Sequence, residues 1–339
     1  MPQHGCLALC QCGFEDLLVR EMGSLGVAAS GSGPGWAAAA APASLPLRGA
    51  AFAHAVLDVE DVAEGDRVNE IAQRIADFFA RSLVGERVEG PWPCVFGAGQ
   101  DVTGLGRRVA AVEAAFRDIL RRRLGRVAKL AVPERPRVGA ARGLFVWFTD
   151  FGRAHVARSA FLCGPCRMAD DERAPSRSYL KVEESYAIVG AEPKPGEVVC
   201  DLGAAPGGWS YSAAKRGARV VAVDNGPLKG GALGNALIEH RREDAFGFSP
   251  PAGGAYDWLF CDMLEDPGRV LDGVLSRWLR GRWCRRFVVN LKFGRVDPIV
   301  LLGELRSAGS PLTALAARPR IVHLYHDREE FTVTGSVPQ

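Results

Sequence analysis

The sequence predicts an α/β protein whose C-terminal half is a doubly wound parallel sheet, preceded by an α+β module. Three observations carry this. From about residue 197 onward, short apolar, β-branched runs alternate with helical stretches, the pattern of parallel strands joined by crossover helices. Upstream, strand-like and helix-like segments occur without that strict alternation. A chain of 339 residues is about two domains' worth, and its composition shifts at residues 167–178, where Pro, Ser and charges replace apolar periodicity. These observations place an N-terminal module at residues 1–166, a linker at 167–180 and the sheet domain at 181–339.

Element by element, residues 6–12 form a short apolar strand, and residues 14–25 carry Phe14, Leu17, Leu18 and Met22 at helical spacing. Residues 30–46 are rich in Gly, Ala and Pro and read as a loop. Residues 50–59 alternate like a strand, and 68–83 read as a helix. Next, Val109, Val112, Phe116, Ile119, Leu120 and Leu124 make one apolar stripe, with Arg107, Arg108, Arg117 and Arg121 to Arg123 around it. That is an amphipathic helix with an arginine-rich exposed side. Residues 143–149 read as a strand. In the C-terminal half the expected order is strand 197–203, a Gly-rich turn, helix 211–216, strand 218–224, strand 257–262, helix 269–280, strand 287–292 and a closing strand at 331–335.

An apolar fraction of 47% and a charged fraction of 24% exclude wholesale disorder and a fibrous chain. Of 42 basic residues only six are lysine: Lys129, Lys181, Lys194, Lys215, Lys229 and Lys292. Arginine cannot give up its proton in a protein whereas a buried lysine can, so a lysine surviving such a bias is a candidate for proton transfer. The formal net charge of +3 names no partner. Residues 107–142, however, hold eleven basic residues against three acidic ones, a possible footprint for phosphate or a plain solvated helix face. Nine scattered cysteines without a signal peptide suit reduced thiols in a cytoplasm. Cys163-Gly-Pro-Cys166 matches a redox tetrapeptide, but a linker follows where a helix is required, and no second ligand pair completes a zinc site. No apolar run is long enough to cross a membrane.

Doubly wound sheets bind ligands at the carboxyl ends of their strands. There stands Asp201-Leu-Gly-Ala-Ala-Pro-Gly-Gly-Trp209, in which Gly203, Gly207 and Gly208 let backbone approach a ligand closely. Its spacing is not the dinucleotide fingerprint. Asp224 ends the second strand, about 20 residues after the turn, where an acid can accept from both ribose hydroxyls of an adenosine. Asp244 falls where the third strand should end, placed for an adenine amino group, and Asp262 ends the fourth. Acids at three successive ends with this glycine turn describe a pocket for an adenosine bearing no phosphate, and S-adenosylmethionine fits it. Lys292 ends the fifth strand beside Asp262, Lys181 lies just ahead of the domain, and Glu330 begins the last strand. A sugar hydroxyl is a poor nucleophile until deprotonated. A lysine amine can take its proton if burial and a like charge bring the lysine pKa down. Lys181 is that like charge for Lys292; Asp262 and Glu330 act oppositely, so their role is orientation.

The motif from Asp201 to Trp209 resembles the cofactor motif of the FtsJ/RrmJ-type RNA 2′-O-ribose methyltransferases, whose catalytic set is Lys-Asp-Lys-Glu. The likeness is closer to one branch, the large-subunit (23S) rRNA ribose methyltransferase RlmM family. Its segments are echoed in Ala174 to Glu184, Val223 to Leu228, Trp283 to Arg285, Asn290 to Lys292 and Leu324 to Glu330, about half of the chain. The resemblance implies a class I (Rossmann-like) S-adenosylmethionine-dependent methyltransferase domain behind a THUMP-type RNA-binding module. It implies Lys181, Asp262, Lys292 and Glu330 as the catalytic tetrad, with Lys292 the proton acceptor and Glu329 the rival for Glu330. Around S-adenosylmethionine it places Ser178, Gly203, Ala205, Pro206, Gly207, Gly208, Trp209, Asp224, Asp244 and Asp262. It implies a cytoplasmic monomer acting on rRNA, most specifically a cytidine of 23S rRNA, without a metal, a membrane or a protein partner. The chain departs from the family at Phe293-Gly294-Arg295, where a Leu-Pro-Met-Lys stretch is usual, which bears on the target nucleotide. The alternatives are a methyltransferase for another RNA and a non-catalytic RNA-binding protein that retains the cofactor fold. The Cys261-Asp262-Met263-Leu264 run, in place of an Asn/Asp-Pro-Pro-aromatic loop, argues against base methylation.

Overall fold

A computed structural model of the chain describes residues 5–40, 45–99, 102–252 and 254–338. They fall into two units, Met1–Cys163 and Gly164–Gln339. The first contains β1 (Gly5–Leu9), α1 (Glu15–Ser24), β2 (Ala29–Gly33), β3 (Trp36–Ala39), β4 (Ala55–Glu64), α2 (Val68–Ser82), β5 (Trp92–Ala98), α3 (Leu105–Arg123), α4 (Gly125–Lys129), β6 (Ala131–Val132), β7 (Val138–Phe148) and β8 (Arg153–Cys163). The strands form one mixed sheet in the order β2-β3-β1-β4-β8-β7-β5-β6. Ile71, Ile75 and Phe79 of α2 meet Val109, Val112, Phe116 and Leu120 of α3 over Phe148 and Val156 of the sheet. The stripe expected on the arginine-rich helix is therefore its core side. Arg121, Arg122 and Arg123 stand exposed on the last turn of α3.

Residues 30–46 were expected to be a loop, and much of the segment is instead a hairpin. Pro34-Gly35 is its turn, with Gly35 at φ +78°, the order of Pro then Gly that a tight turn prefers. Trp36 pairs with Gly33 across the hairpin and lies over it, where a Cβ on Gly33 would meet the ring at 2.9 Å. The expectation for residues 41–44 lies outside the described residues. The strand expected at 50–59 runs instead over Ala55–Glu64, set by its pairing with β1 and β8; β5 and β8 were not foreseen.

The second unit contains α5 (Tyr179–Val189), β9 (Val198–Leu202), α6 (Gly208–Lys215), β10 (Arg219–Val223), β11 (Ile238–Arg241), β12 (Tyr256–Cys261), α7 (Pro267–Val270), α8 (Arg277–Gly281), β13 (Cys284–Lys292), α9 (Pro298–Arg306), α10 (Pro311–Leu315), β14 (Ala317–Val322) and β15 (Glu330–Ser336). The strand order is β11-β10-β9-β12-β13-β15-β14. Trp258, Leu259, Phe260 and Cys261 are all fully buried, the continuous apolar run of a parallel strand covered on both faces. On one face α5 and α6 supply Tyr186 and Trp209 against Trp258 and Phe260.

The chain runs outward from β9 through β10 to β11, then returns to lay β12 on the other side of β9. The strand order reverses between β9 and β12, and the carboxyl ends of strands at such a switch point are the general ligand position in these sheets. Two expectations need correction. The sheet is not wholly parallel: β15 inserts antiparallel between β13 and β14. The helix expected at 269–280 is three pieces, because Leu271–Ser276 widens into a π-helical turn between α7 and α8.

Candidate active site

At the end of β9 the chain leaves Leu202 through Gly203 and enters α6 at Gly208. Gly207 adopts φ +104°, and a Cβ there would meet the Ala232 Cβ at 2.5 Å, so conformation and space both require glycine. The Ala205–Pro206 peptide is cis. Trp209 is buried and its Nε1 donates to the Ser178 carbonyl at 2.9 Å, while the Ser178 hydroxyl lies 2.8 Å from that of Ser176. Gly208 sits under both hydroxyls. Just past β10, Asp224 accepts from Ala205 N at 3.0 Å and from Gly226 N at 2.7 Å, one on each carboxylate oxygen. That ties the second strand end to the glycine turn and leaves lone pairs facing outward. Asp244 is exposed in a turn beyond β11, accepting from Phe246 N at 3.1 Å.

Asp201, the first residue of the motif, has a role that its spacing does not signal. It is fully buried in β9 and accepts from the Ser210 hydroxyl at 2.6 Å. Burial lifts its carboxyl to about 7 despite Ser210, with Asp262 and Asp224 adding to the rise. Asp201, Asp224 and Asp262 make an acidic wall at the switch point. It suits a cationic adenosine and disfavours a phosphate.

Lys181, Asp262, Lys292 and Glu330 meet beside this wall. The antiparallel register puts Lys292 directly opposite Glu330, and the parallel register brings β12, ending at Asp262, alongside β13. Lys292 Nζ donates to Asp262 Oδ1 at 2.5 Å and to Glu330 Oε2. Lys181 Nζ lies 2.6 Å from Glu330 Oε1 and 3.5 Å from Asp262 Oδ2. Each carboxylate thus faces both lysines. The four side chains are between 5% and 19% exposed. Glu330 rather than Glu329 joins the cluster; Glu329 is exposed, its carbonyl accepting from Phe293 N at 2.8 Å.

The expectation that the Lys292 pKa is brought down is not met in this arrangement. Burial alone would lower it, but Asp262 and Glu330 together outweigh burial and hold the ammonium above its ordinary value. The like charge of Lys181 is absorbed by the same two carboxylates. For Glu330, burial favours the neutral acid, yet Lys181 and Lys292 prevail and keep its carboxyl below the usual range.

Behind the tetrad, Glu184 of α5 is wholly buried and accepts from Cys166 N at 2.8 Å, Tyr325 N at 2.8 Å and His326 N at 3.2 Å. This clamp fixes the turn that leads into β15 and so carries Glu330 to the lysines.

The FtsJ-like methyltransferase family model matches residues 174–278. The ribosomal RNA large subunit methyltransferase M of Stenotrophomonas maltophilia (strain R551-3) is 35% identical over 367 residues, covering 98% of this chain and 97% of the relative. The chain belongs to this methyltransferase M family. The family member from Marinomonas sp. (strain MWYL1) is 38% identical over 192 residues, and there the alignment spans only 53% of the relative and 52% of this chain. That from Laribacter hongkongensis (strain HLHK9) is 35% identical over 246 residues, covering 67% of the relative and 68% of this chain. Among solved structures, TrmN from Thermus thermophilus aligns over 98% of the chain at 16% identity and a TM-score of 0.37, too slight a likeness to argue from. As a family member, the second unit is a Rossmann-like methyltransferase domain whose cofactor is S-adenosylmethionine. No described helix is long and apolar enough to cross a membrane.

Proposed function

We propose that the protein methylates a ribose 2′-hydroxyl of RNA, in a cytidine of 23S (large-subunit) rRNA, with Lys181, Asp262, Lys292 and Glu330 as its catalytic tetrad. The observation that carries the reading is a buried Lys-Asp-Lys-Glu cluster at the strand ends, on the strands next to the one that leads into the glycine turn. The named activity of the curated relatives supports an rRNA substrate.

When bound, S-adenosylmethionine supplies an electrophilic methyl group on a cationic sulfur. Asp224 would hold its ribose hydroxyls, the Gly203 to Gly208 turn its methionine portion, Asp244 its adenine edge, and Ser178 and Trp209 the floor of the turn. Lys292 would take the proton of the RNA hydroxyl at Nζ, which makes that oxygen a nucleophile toward the methyl group the cofactor would supply. To do so Lys292 must first release the proton that Asp262 and Glu330 stabilise. A cation arriving beside Asp262 weakens that hold and pushes the lysine toward its neutral form. Glu330 bridges the two lysines and keeps them aligned.

The first unit is proposed as the THUMP-type module that grips RNA in a cytoplasmic enzyme. Several arginines of the basic stretch are spoken for: Arg117 pairs with Glu113, Arg121 with Asp118, Arg123 with Asp77 and Arg142 with Glu86. Among the described residues, Arg107, Arg126 and Lys129 are exposed without an ion-pair partner and are the strongest candidates for phosphate contacts. The test is methyl transfer from labelled S-adenosylmethionine to 23S rRNA lacking the modification. Label on a cytidine 2′-oxygen is expected; label only on base atoms or protein would overturn the reading.

A further inference from the structure

We propose that Asp327 is kept as a neutral carboxylic acid and, through Thr332 and Asn290, acts as a positioning residue that aims the Asp262 carboxylate. Asn290 is opposite Thr332 in the β13–β15 register, two residues along from the Lys292–Glu330 pair. Side chains two apart point to the same face of a strand, so the register that builds the tetrad also builds this second row behind it. Asn290, Thr332 and Asp327 are all essentially inaccessible to solvent.

The contacts form a chain. Asn290 Nδ2 donates to Asp262 Oδ1 at 3.2 Å, and Asn290 Oδ1 lies 2.6 Å from the Thr332 hydroxyl. That hydroxyl is in turn 3.0 Å from Asp327 Oδ2 and 3.3 Å from Oδ1, and Leu324 N donates to Oδ2 at 2.9 Å. Hydrogen counting then decides the protonation state. The Asn290 amide has only one workable orientation, because a flip would set its oxygen against the Asp262 carboxylate. Thr332 owns a single hydrogen but touches two acceptor groups, the Asn290 amide oxygen and the Asp327 carboxyl. An ionised Asp327 would leave one of those contacts as two acceptors face to face in a dry interior, a costly arrangement. A proton on Asp327 resolves it: Asp327 donates to Thr332, Thr332 to Asn290, and Asn290 to Asp262, every bond running the same way and each polarising the next.

The surroundings agree. Burial favours the neutral form of Asp327, and the negative Glu330 and Glu184 nearby add to that, outweighing the opposing Leu324 N–H and Lys181. Lys292 Nζ donates to the same Asp262 oxygen that Asn290 addresses. The chain therefore sets the orientation of the carboxylate that shares the proton of Lys292.

The activity arm of the test rests on the ribose-methylation reading; the spectroscopic arm does not. At neutral pH the wild-type minus Asp327→Asn infrared difference spectrum should contain the carbonyl band of a protonated carboxylic acid, shifted by deuterium exchange, while the band of the partly protonated Asp201 cancels. Absence of that difference band would overturn the proposal whether or not the enzyme methylates RNA. In methyl-transfer assays Asp327→Asn can still donate to Thr332 and accept from Leu324, so it should retain at least half of the wild-type kcat. Thr332→Val breaks the chain with little change in size, and should lower kcat about fivefold to tenfold, the worth of one net hydrogen bond. KM for RNA and the cofactor Kd should hold, and Thr332→Ser should restore kcat. If Thr332→Val changed only thermal stability, or if Asp327→Asn lost as much kcat as Thr332→Val, the neutral-acid relay would be wrong.

Discussion

Replacing Lys292 with arginine separates the two tasks that its position combines. Lys292→Arg keeps a positive charge between Asp262 and Glu330, so the cluster retains two cations and two anions. It removes the amine proposed as proton acceptor, because a guanidinium does not give up its proton in a protein. A positioned general base is worth roughly 10²–10⁴-fold, about 2.7–5.4 kcal/mol at 1.36 kcal/mol per decade, and kcat should fall by that amount. The larger guanidinium must enter a site whose four side chains are at most 19% exposed. Overpacking of that kind costs roughly 1–3 kcal/mol, which for a unit of this size is a fall in Tm of about 2–12 °C. Lys292→Met, by contrast, leaves Lys181 alone between two carboxylates, and breaking a buried pair this way costs roughly 3–5 kcal/mol. The order of Tm is therefore wild type, then Arg, then Met. Single-turnover transfer from labelled S-adenosylmethionine across a pH series reads the chemistry directly. Because the lysine is held protonated at rest, its reactive neutral fraction grows as pH rises, so the wild-type rate should climb through neutral into alkaline pH. The arginine variant should stay low and flat. A variant retaining more than a tenth of the wild-type rate with the same pH slope would refute Lys292 as proton acceptor.

Three further outcomes are expected. Asp224→Ala should raise the S-adenosylmethionine Kd about 10- to 100-fold in calorimetry, the worth of one to two hydrogen bonds to a charged group; an unchanged Kd would remove Asp224 from the site. Asp201→Asn bears on stability. The unfolded carboxyl ionises near 3.9 and the folded one near 7, so between those values the unfolded chain has released a proton that the native state still holds. Wild-type stability should thus decline from about pH 4 to about pH 7 and then level off. Asp201→Asn should flatten that decline and raise stability at pH 7.5 by up to roughly 4 kcal/mol, visible in melts at pH 5 and 7.5; parallel melts for the two proteins would contradict it. In the first unit, Arg126→Ala with Lys129→Ala should weaken RNA binding and lower the slope of log Kd against log salt by roughly 1.5–2, and an unaltered slope would place the RNA elsewhere.

What the chain discloses depends on how local the cause is. The glycine turn, the strand-end acids and the two lysines lie in short segments whose spacing reflects close backbone approach to a ligand, so they were readable in order along the sequence. The stripe on α3 was readable because burial on one helical face has a 3.6-residue period. The β2–β3 hairpin was not, since its strands are made of Ala, Gly and Ser and owe their pairing to β1 and to Trp36 lying over Gly33. Nor was the antiparallel insertion of β15, because strand direction is decided by long-range pairing and leaves no mark in local pattern. The Lys292 charge state was misjudged for a related reason. Its pKa depends on both carboxylates reaching it at once, and only the register between β13 and β15 reveals that. Asn290, Asp327 and Glu184 stood within recognisable segments, but their work is to hold other residues, and such roles emerge only from three-dimensional contacts.

The late position of β15 has a consequence for biosynthesis. Every other member of the proposed site precedes residue 293 in the chain, so the glycine turn, both lysines and Asp262 have already been synthesised while Glu330 is still unmade. During that interval Lys181 and Lys292 have one carboxylate between them, and the edge of β13 waits for its antiparallel neighbour. On the proposed reading, a nascent chain therefore carries every residue assigned to the adenosine before its catalytic set is complete. Translation of some forty further residues, through β15, supplies the missing carboxylate and the antiparallel strand that presents it.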